Sequence, residues 1–412
     1  MIGQEPGHLF IMQPTDAHTG QLLDTVYAYA GHIDKQTLEL APTSQVVSWE
    51  QTAPDEWIYN LRPGVTFHNG DQWNAEAFQV YAQFAGDPAS GVGAYAHTGP
   101  YTVEVVDELT ARVKCGAPCP IFARAMNIVQ VHAPSDLKEK DFFEIRIGVG
   151  VGPYQIEDWV VGQHVLTSKF KDFVPVPENP EYAAPVLNEI EWQWRGETTV
   201  RAAMIETGEA DWAFLLTLED SERLGPDHFV TGGTAEIAQF TIDTVFDPWL
   251  SQLKMRQAIV HSIDCPAIVA SLYQGATTCR GNHGAPGVLG TTPENLKPYE
   301  YDPQLSRRLL EEIGYICGMP NSKPDCKAEI EINSRAARIP RNTELVESMA
   351  TFMREAGINA KANFVETSLW TEMGLCGVGH PEAQIAGWQG ATETKAPTSC
   401  CPPDPRRHWF RI

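Results

Sequence analysis

The chain has 412 residues, of which 43% are hydrophobic and 20% charged. That composition excludes a mostly disordered chain, and at about 150 residues per domain the length allows two or three domains. Lys and Arg number 30 against 53 Asp and Glu, a formal net charge of −23. Such acidity argues against a general nucleic-acid binder and against docking on anionic lipid. No apolar run approaches the ~20 residues of a membrane span.

The start, Met1-Ile-Gly-Gln-Glu-Pro-Gly7, has neither a positive n-region nor an apolar h-region, so no secretory signal is read in this numbering. The nine cysteines are odd in number. Cys115-Gly-Ala-Pro-Cys119 and Cys317…Cys326 are close pairs in turn-rich stretches. Local disulfides there would suit an oxidising compartment; reduced, unpaired thiols are the other reading. Nothing carries zinc-ligand spacing: there is no Cys-x-x-Cys and no His-Glu-x-x-His.

Along the chain, Glu56–Arg62 reads as a strand with Trp57, Tyr59 and Leu61 on one side. Pro63-Gly64 turns it, Val65-Thr66-Phe67 continues, and His68-Asn-Gly-Asp71 turns again. Asn74 is placed to N-cap a helix running to Phe84, with Glu76 in its first turn. Tyr101–Val106 and Thr110–Lys114 alternate around Asp107-Glu108 as a hairpin. Gly148-Val-Gly-Val-Gly152-Pro-Tyr154 superficially suggests a phosphate loop. It lacks the Lys-Ser/Thr pair, and Pro153 leads into a strand, so a nucleotide site is rejected. Strands follow at Tyr154–Trp159, His164–Lys169 and Asn188–Trp194. Thr199–Thr207 is a helix with Gly208 as its C-terminal glycine, and Asp211–Phe214 reads as a short buried strand.

The last third changes character near Asp243–Ser251. Leu253–Ile263 is helical, with Met255, Ile259 and Ile263 four apart. Asp302-Pro303 caps a helix that ends on Gly314. Asn342–Ala356 carries Leu345, Val346, Met349 and Met353 on one stripe, with strands at Ile330–Ile332 and Ile358–Phe364. Strand–helix–strand order implies an α/β domain.

The order of motifs resembles the family 5 extracellular solute-binding proteins, the peptide, nickel and oligosaccharide receptors of ABC importers. The likeness rests on Trp57-Ile-Tyr-Asn-Leu-Arg-Pro-Gly-Val-Thr-Phe-His-Asn-Gly70 with Trp73-Asn-Ala-Glu-Ala-Phe78, and on Gly150-Val-Gly-Pro-Tyr154. It continues through Arg201-Ala-Ala-Met-Ile-Glu-Thr-Gly-Glu-Ala-Asp211, Lys254-Met-Arg-Gln-Ala-Ile259 and Ile263-Asp264. Tyr301-Asp-Pro303 to Gly314-Tyr315, Gly357-Ile358 and Ala386-Gly-Trp388 complete it. Each motif is short; their number and shared order carry the resemblance, from about Leu9 to Trp388.

The resemblance implies an α/β fold with mixed sheets: a two-lobed periplasmic-binding-protein clamp of type II in its three-domain form. Lobe I would comprise residues 1–39 plus 149–240, domain II residues 40–148, and lobe III residues 241–412. The implied function is the substrate-binding component of an ABC importer, capturing a peptide-like or other small polar solute by hinge closure between lobes I and III. No enzyme activity and no cofactor are expected. Expected partners are the solute and the importer's membrane permease, with no nucleic acid, a monomeric state and a periplasmic or cell-surface location. Rival readings are a glycan hydrolase using paired carboxylates and a nickel or metal-chelate receptor. No Gly-x-Ser-x-Gly marks a nucleophile, and the 12 histidines are scattered.

Two departures from the family pattern stand out. The segment after the Gly-Trp motif, ending Ser399-Cys-Cys-Pro-Pro-Asp-Pro-Arg-Arg-His-Trp-Phe-Arg-Ile412, matches nothing expected there. From Thr394 on, Lys395, Arg406, Arg407 and Arg411 face one acid, Asp404. A truncated or frame-shifted reading is expected, with lobe III short of part of its sheet and the hinge short of its return strand. Peptide-binding members place an Asp three residues after the Gly-Trp tryptophan; here that position is Ala391, and Glu393 is the nearby acid.

Trp388 is the foremost candidate ligand contact implied by the likeness, with Gln389 and Glu393 as polar neighbours. Tyr27 and Tyr29 lie in the segment expected to line lobe I, at least one of them as packing. Arg280 and His283, in the glycine-rich stretch Cys279–Gly287, are candidates from lobe III, and Asp243 and Thr244 sit near the crossing between lobes. Trp57, Trp192 and Trp212 are read as core on strand patterns, and Trp49 and Trp159 as packing positions.

Overall fold

The alternation at Trp57, Tyr59 and Leu61 becomes a strand in the computed structural model, with those three side chains buried and the residues between them half-buried. The structure describes residues 1–6, 9, 17–34, 37–87, 90, 99–138, 147–177, 179–228, 238, 241–242, 244, 247–282, 284, 286–288, 290–315, 329–334, 339–365 and 408–411. The chain divides into two units, residues 1–214 and 215–412.

Unit 1 contains two antiparallel sheets. The first has β1 (Val46–Ala53), β2 (Glu56–Leu61), β3 (Tyr101–Asp107) and β4 (Thr110–Cys115) in the order β1-β2-β4-β3. In its register Trp49 opposes Tyr59 and Trp57 opposes Val113. Helix α2 (Ala75–Gly86) covers it; α1 (Ala17–Val26) precedes it in the chain. Asn74 caps α2 by accepting the Ala77 N–H at 2.9 Å, as its side-chain chemistry predicts. Phe78, Tyr81, Ala82 and Ala85 of α2 are wholly buried against the sheet in one cluster with Tyr59 and Phe122. Burial of each such aromatic contributes on the order of 2–3 kcal/mol. Two short helices, α3 (Phe122–Ala125) and α4 (Pro134–Lys138), follow.

The second sheet is β5 (Tyr154–Val160), β6 (His164–Lys169) and β7 (Glu189–Trp192), in that order. Leu22, Leu23 and Val26 of α1 pack on its Ile156, Val165 and Trp192. Helix α5 (Thr198–Thr207) ends on Gly208 at φ 75°, the left-handed position that favours glycine. The strand expected at Asp211–Phe214 does not form. Those residues are a bent segment, and Trp212, expected in the core, is 45% exposed. Alternation of side chains tells which side a residue faces, but a strand also needs a ladder. Here the Met1 amino group donates to the Trp212 carbonyl (2.8 Å) and the Met1 carbonyl accepts the Phe214 N–H (3.0 Å), and this contact with one residue does not extend into a strand.

Unit 2 contains α6 (Leu218–Leu224), β8 (Thr241–Ile242), α7 (Leu253–Ser262), α8 (Cys265–Tyr273) and α9 (Pro303–Glu312). β9 (Ile330–Ser334), α10 (Asn342–Glu355), β10 (Ala360–Phe364) and β11 (His408–Arg411) follow. Its sheet runs β10-β9-β11-β8, with β9 parallel to both β10 and β11 and β8 antiparallel to β11. The terminal residues thus supply a strand to this sheet. Met255, Ile259, Leu310, Ile330, Ile332, Val346 and Met353 form the core. Asp302 caps α9 through the Leu305 N–H at 2.8 Å, with Pro303 at the first helical position.

Candidate ligand-binding site

The glycines of Gly148–Gly152 are a close-packing device. Gly152 N–H donates to the Val26 carbonyl at the end of α1 (2.8 Å), and Ala133 N–H donates to the Val149 carbonyl (2.9 Å). A Cβ on Gly150 or Gly152 would overlap the Val26 carbonyl group. Val149 N–H donates to Asp136 Oδ2 at 2.7 Å. His68 fixes the other side: its Nδ1 accepts the Gly150 N–H at 3.3 Å and its Nε2 lies 3.0 Å from the Gly152 carbonyl, so Nε2 carries the proton. Burial lowers the His68 pKa to about 4, against the raising effect of the Gly152 carbonyl and of Asp136.

This packing decides the place of Tyr27. Its ring stacks on His132 (centroids 4.0 Å apart, planes at 26°), and its hydroxyl lies against Gly148. It is 1% exposed, and burial, then the charge of Asp136, pushes its pKa up. Tyr27, a candidate ligand contact by sequence, is here a core residue of unit 1. Tyr29 is half-buried and belongs to a polar group. Its hydroxyl donates to Asp24 Oδ1 at 2.6 Å, and Gln130 Nε2 donates to the same oxygen and to the Tyr29 hydroxyl, both at 2.9 Å. Burial and Asp24 raise the Tyr29 pKa, so the phenol stays protonated and donating. Sequence reasoning found Tyr29 but missed Asp24 and Gln130; only folding brings Gln130 to the end of α1.

An aromatic face in unit 1 also escaped the sequence. Trp212 stacks on Phe214 (5.8 Å, 17°), meets Trp192 edge-on at 6.1 Å, and Phe214 meets His18 edge-on at 5.5 Å. The exposed part of Trp212 offers apolar area at low entropy cost to a ring or planar group.

In unit 2, Thr244 is exposed and Arg280 half-buried. Arg280 Nη1 is buried with no hydrogen-bond partner among the described residues. Gly281 N–H donates to the Leu296 carbonyl at 3.1 Å, closing the loop that Arg280 opens. Trp388, Gln389, Ala391, Glu393, Asp243 and His283 lie outside the described residues, as does the Cys317…Cys326 pair. Of the candidates, the structure thus brings Tyr27 and Tyr29 to one end of α1 with different surroundings, and sets Thr244 and Arg280 in unit 2. Among the described residues no group of three or more His, Cys, Asp or Glu is placed to hold a metal ion.

Two signature arginines serve the backbone. Arg201 Nη1 donates to the Arg195 and Gly196 carbonyls, and Arg256 Nη1 to those of Leu250 and Ser251. The motif residues build a scaffold, and the fold they build is the clamp fold of the periplasmic binding proteins. It is shared with NikZ from Campylobacter jejuni, solved in complex with Ni(L-His), at TM-score 0.70 and 18% identity, over 89% of this chain and 73% of that one. DppA from Helicobacter pylori, solved with the peptide STSA, gives TM-score 0.70 and 18% identity, over 92% of this chain and 75% of that one. The chain belongs to the bacterial extracellular solute-binding proteins, family 5 Middle, whose pattern matches residues 45–394. Among curated proteins it is 28% identical over 283 residues to the glutathione-binding protein GsiB of Shigella flexneri serotype 5b, and 27% over 282 to that of Escherichia coli K12. Each alignment covers 66% of this chain and 53% of the relative, so the chain spans about half the length of the curated relatives it matches.

Proposed function

We propose that the chain captures a small polar, peptide-like solute for an ABC importer, without chemical turnover. The observation that carries this reading is the extent of the family pattern: residues 45–394 run through both units, so one receptor family accounts for both. In the proposed mechanism lobe I (1–39 with 149–240) and lobe III (241–412) close on the solute, with domain II (40–148) packed on lobe I. A solute that touches both lobes only in the closed state shifts the population toward it, and the permease reads that state. Trp388, with Gln389 and Glu393, is assigned to the solute; Tyr29, Asp243, Thr244, Arg280 and His283 are the next candidates. Tyr27 is assigned to support them from the core. With Ala391 where peptide receptors carry an Asp, Glu393 is the acid assigned to the ligand's ammonium group. The protein acts as an exported, monomeric receptor; no described helix is long and apolar enough to cross a membrane.

The support for a peptide-like ligand is the GsiB likeness. A thermal-shift screen with reduced glutathione, di- and tripeptides, opines and Ni(L-His) tests it. The expected result is a rise in Tm with glutathione or short peptides that Trp388→Ala abolishes, and an unchanged ligand by mass spectrometry. At a ligand concentration 100 times Kd the stabilisation is about 2.7 kcal/mol. Product formation, or a shift with Ni(L-His) alone, overturns the reading.

A further inference from the structure

The two disulfides among the described residues sit in opposite surroundings. Cys115 and Cys119 are 6% and 9% exposed and belong to the core of unit 1. Their N–H groups donate to the Asp55 and Pro54 carbonyls, and Trp57 Nε1 donates to the Cys119 carbonyl at 2.9 Å. Cys265 and Cys279 are both half-buried and have exposed chain neighbours: Pro266 and Ala267 follow the first, and Gln274–Thr278 precede the second. Arg280 comes directly after Cys279 in the chain; the residue is half-buried, and its Nη1 is buried with no hydrogen-bond partner among the described residues.

We propose that Cys265–Cys279 is a thiol-exchange site for low-molecular-weight thiols that carry carboxylates. Exchange requires a thiolate to reach one sulfur in line with the S–S bond, so access decides which disulfide reacts. The incoming thiolate forms a bond to Cys279 Sγ, the Cys265–Cys279 bond breaks, and the electron pair leaves on Cys265 Sγ. A second small thiol, as its thiolate, then attacks the mixed disulfide and releases the small disulfide. Two small thiols are oxidised to one disulfide, and the protein disulfide is reduced to two thiols. Excess small disulfide drives the same steps backward.

Charge selects both the sulfur and the reagent. Asp264 adjoins Cys265, its carboxylate fixed as the α8 cap by the Ala267 N–H at 3.0 Å, and it repels an anionic thiolate. Arg280 adjoins Cys279 and attracts one. The leaving sulfur belongs to the first residue of α8, where the helix end favours a thiolate. Arg280 is also among the solute candidates, so the glutathione preference rests partly on that reading, whereas opening of Cys265–Cys279 by 2-mercaptoethanol with Cys115–Cys119 closed tests the exchange site apart from solute capture.

The test incubates the intact chain, natively folded, with reduced glutathione, cysteamine or 2-mercaptoethanol. Acid quenching, alkylation and peptide mapping then follow each cysteine. The expected result is adduct or free thiol at Cys279 and Cys265 while Cys115–Cys119 stays closed. Corrected for thiolate fraction, glutathione should outpace cysteamine by about threefold or more at low ionic strength, a preference that about 1 M salt removes. Arg280→Gln should remove it too, and the salt series on the unaltered chain gives the same reading if that variant fails to fold. Equal rates at the two disulfides, reaction only on unfolding, or a glutathione preference indifferent to salt overturns the proposal.

Discussion

The two units solve one local problem in the same way and at different depths. Helices α5 and α7 both follow an extended residue, Glu197 (φ −76°, ψ 124°) and Gln252 (φ −81°, ψ 125°), and neither side chain caps its helix. In each helix the fourth residue is an arginine. Its Nη1 donates to the carbonyls six and five positions earlier, at 2.6 and 2.9 Å from Arg201 and at 2.9 and 2.8 Å from Arg256. The incoming chain is thus tied to the helix it enters. Arg201, however, is 2% exposed, whereas Arg256 is half-buried. The acceptors do not follow the same order: Arg195 and Gly196 are exposed residues, whereas Leu250 is wholly buried and Ser251 exposed, so the difference in depth lies in the arginine side chains. The lesson is that a motif residue's hydrogen bonds do not give its weight; burial does.

The largest effect should therefore come from Arg201→Ala. It removes a side chain that is almost wholly buried together with its two backbone hydrogen bonds, at about 3 kcal/mol of unit 1 stability. Urea unfolding followed by tryptophan fluorescence measures it, and a loss no greater than that of Arg256→Ala would break the comparison. Acid comes next, because His68 and His132, whose pKa values burial lowers, also lie in unit 1. His68, half-buried there, has a folded pKa of about 4 against an ordinary 6.5, so on acidification the unfolded chain takes its proton first. Its contribution is complete above pH 6.5, declines as pH falls, and is gone below about 4. The loss is on the order of 3 kcal/mol. The mechanism is direct: a protonated Nδ1 cannot accept the Gly150 N–H. His68→Asn keeps an acceptor without a titrating ring, and its stability should fall less steeply between pH 6.5 and 4 than that of the unaltered chain.

These sites also show what a sequence exposes. Local signals survived folding where the physics is local. Asn74 before α2, Asp302-Pro303 before α9 and Gly208 after α5 act within one turn, and all three do what their side chains or backbone freedom require. The buried face of β2 was legible for the same reason. Sites that depend on distant chain were not. Tyr27 looks like a ligand contact until the strap 82 and 84 residues beyond His68 is seen to close over it. Gln130 reaches Tyr29 across 101 residues. The Cys265–Cys279 bridge spans a whole helix, at a separation of 14, whereas the separation of 4 at Cys115–Cys119 was readable as a local pair. Arg201 and Arg256 were visible as motif letters, but their acceptors are carbonyls, which every residue carries, so no side-chain pattern announces the bond.

The smaller effects test the exposed end of the comparison. Arg256→Ala should cost about 1 kcal/mol, since its side chain is only half-buried and has less packing to lose. Restoring reach without the planar fork, Arg256→Lys should recover part of that, and Arg201→Lys little of its larger loss. Lys254, two residues before Arg256, pairs with Glu312 at 2.8 Å, with both side chains about half exposed (50% and 53%). Lys254→Gln should change stability by less than about 0.5 kcal/mol, and salt should erase even that. The three substitutions of α7 residues together separate geometry from burial. Arg256 and Lys254 each make short, well-formed polar contacts, so a ranking by distance alone places them beside Arg201. A ranking by burial of the side chain places them one step and two steps below it, and denaturant midpoints measured at low and high ionic strength decide between the two.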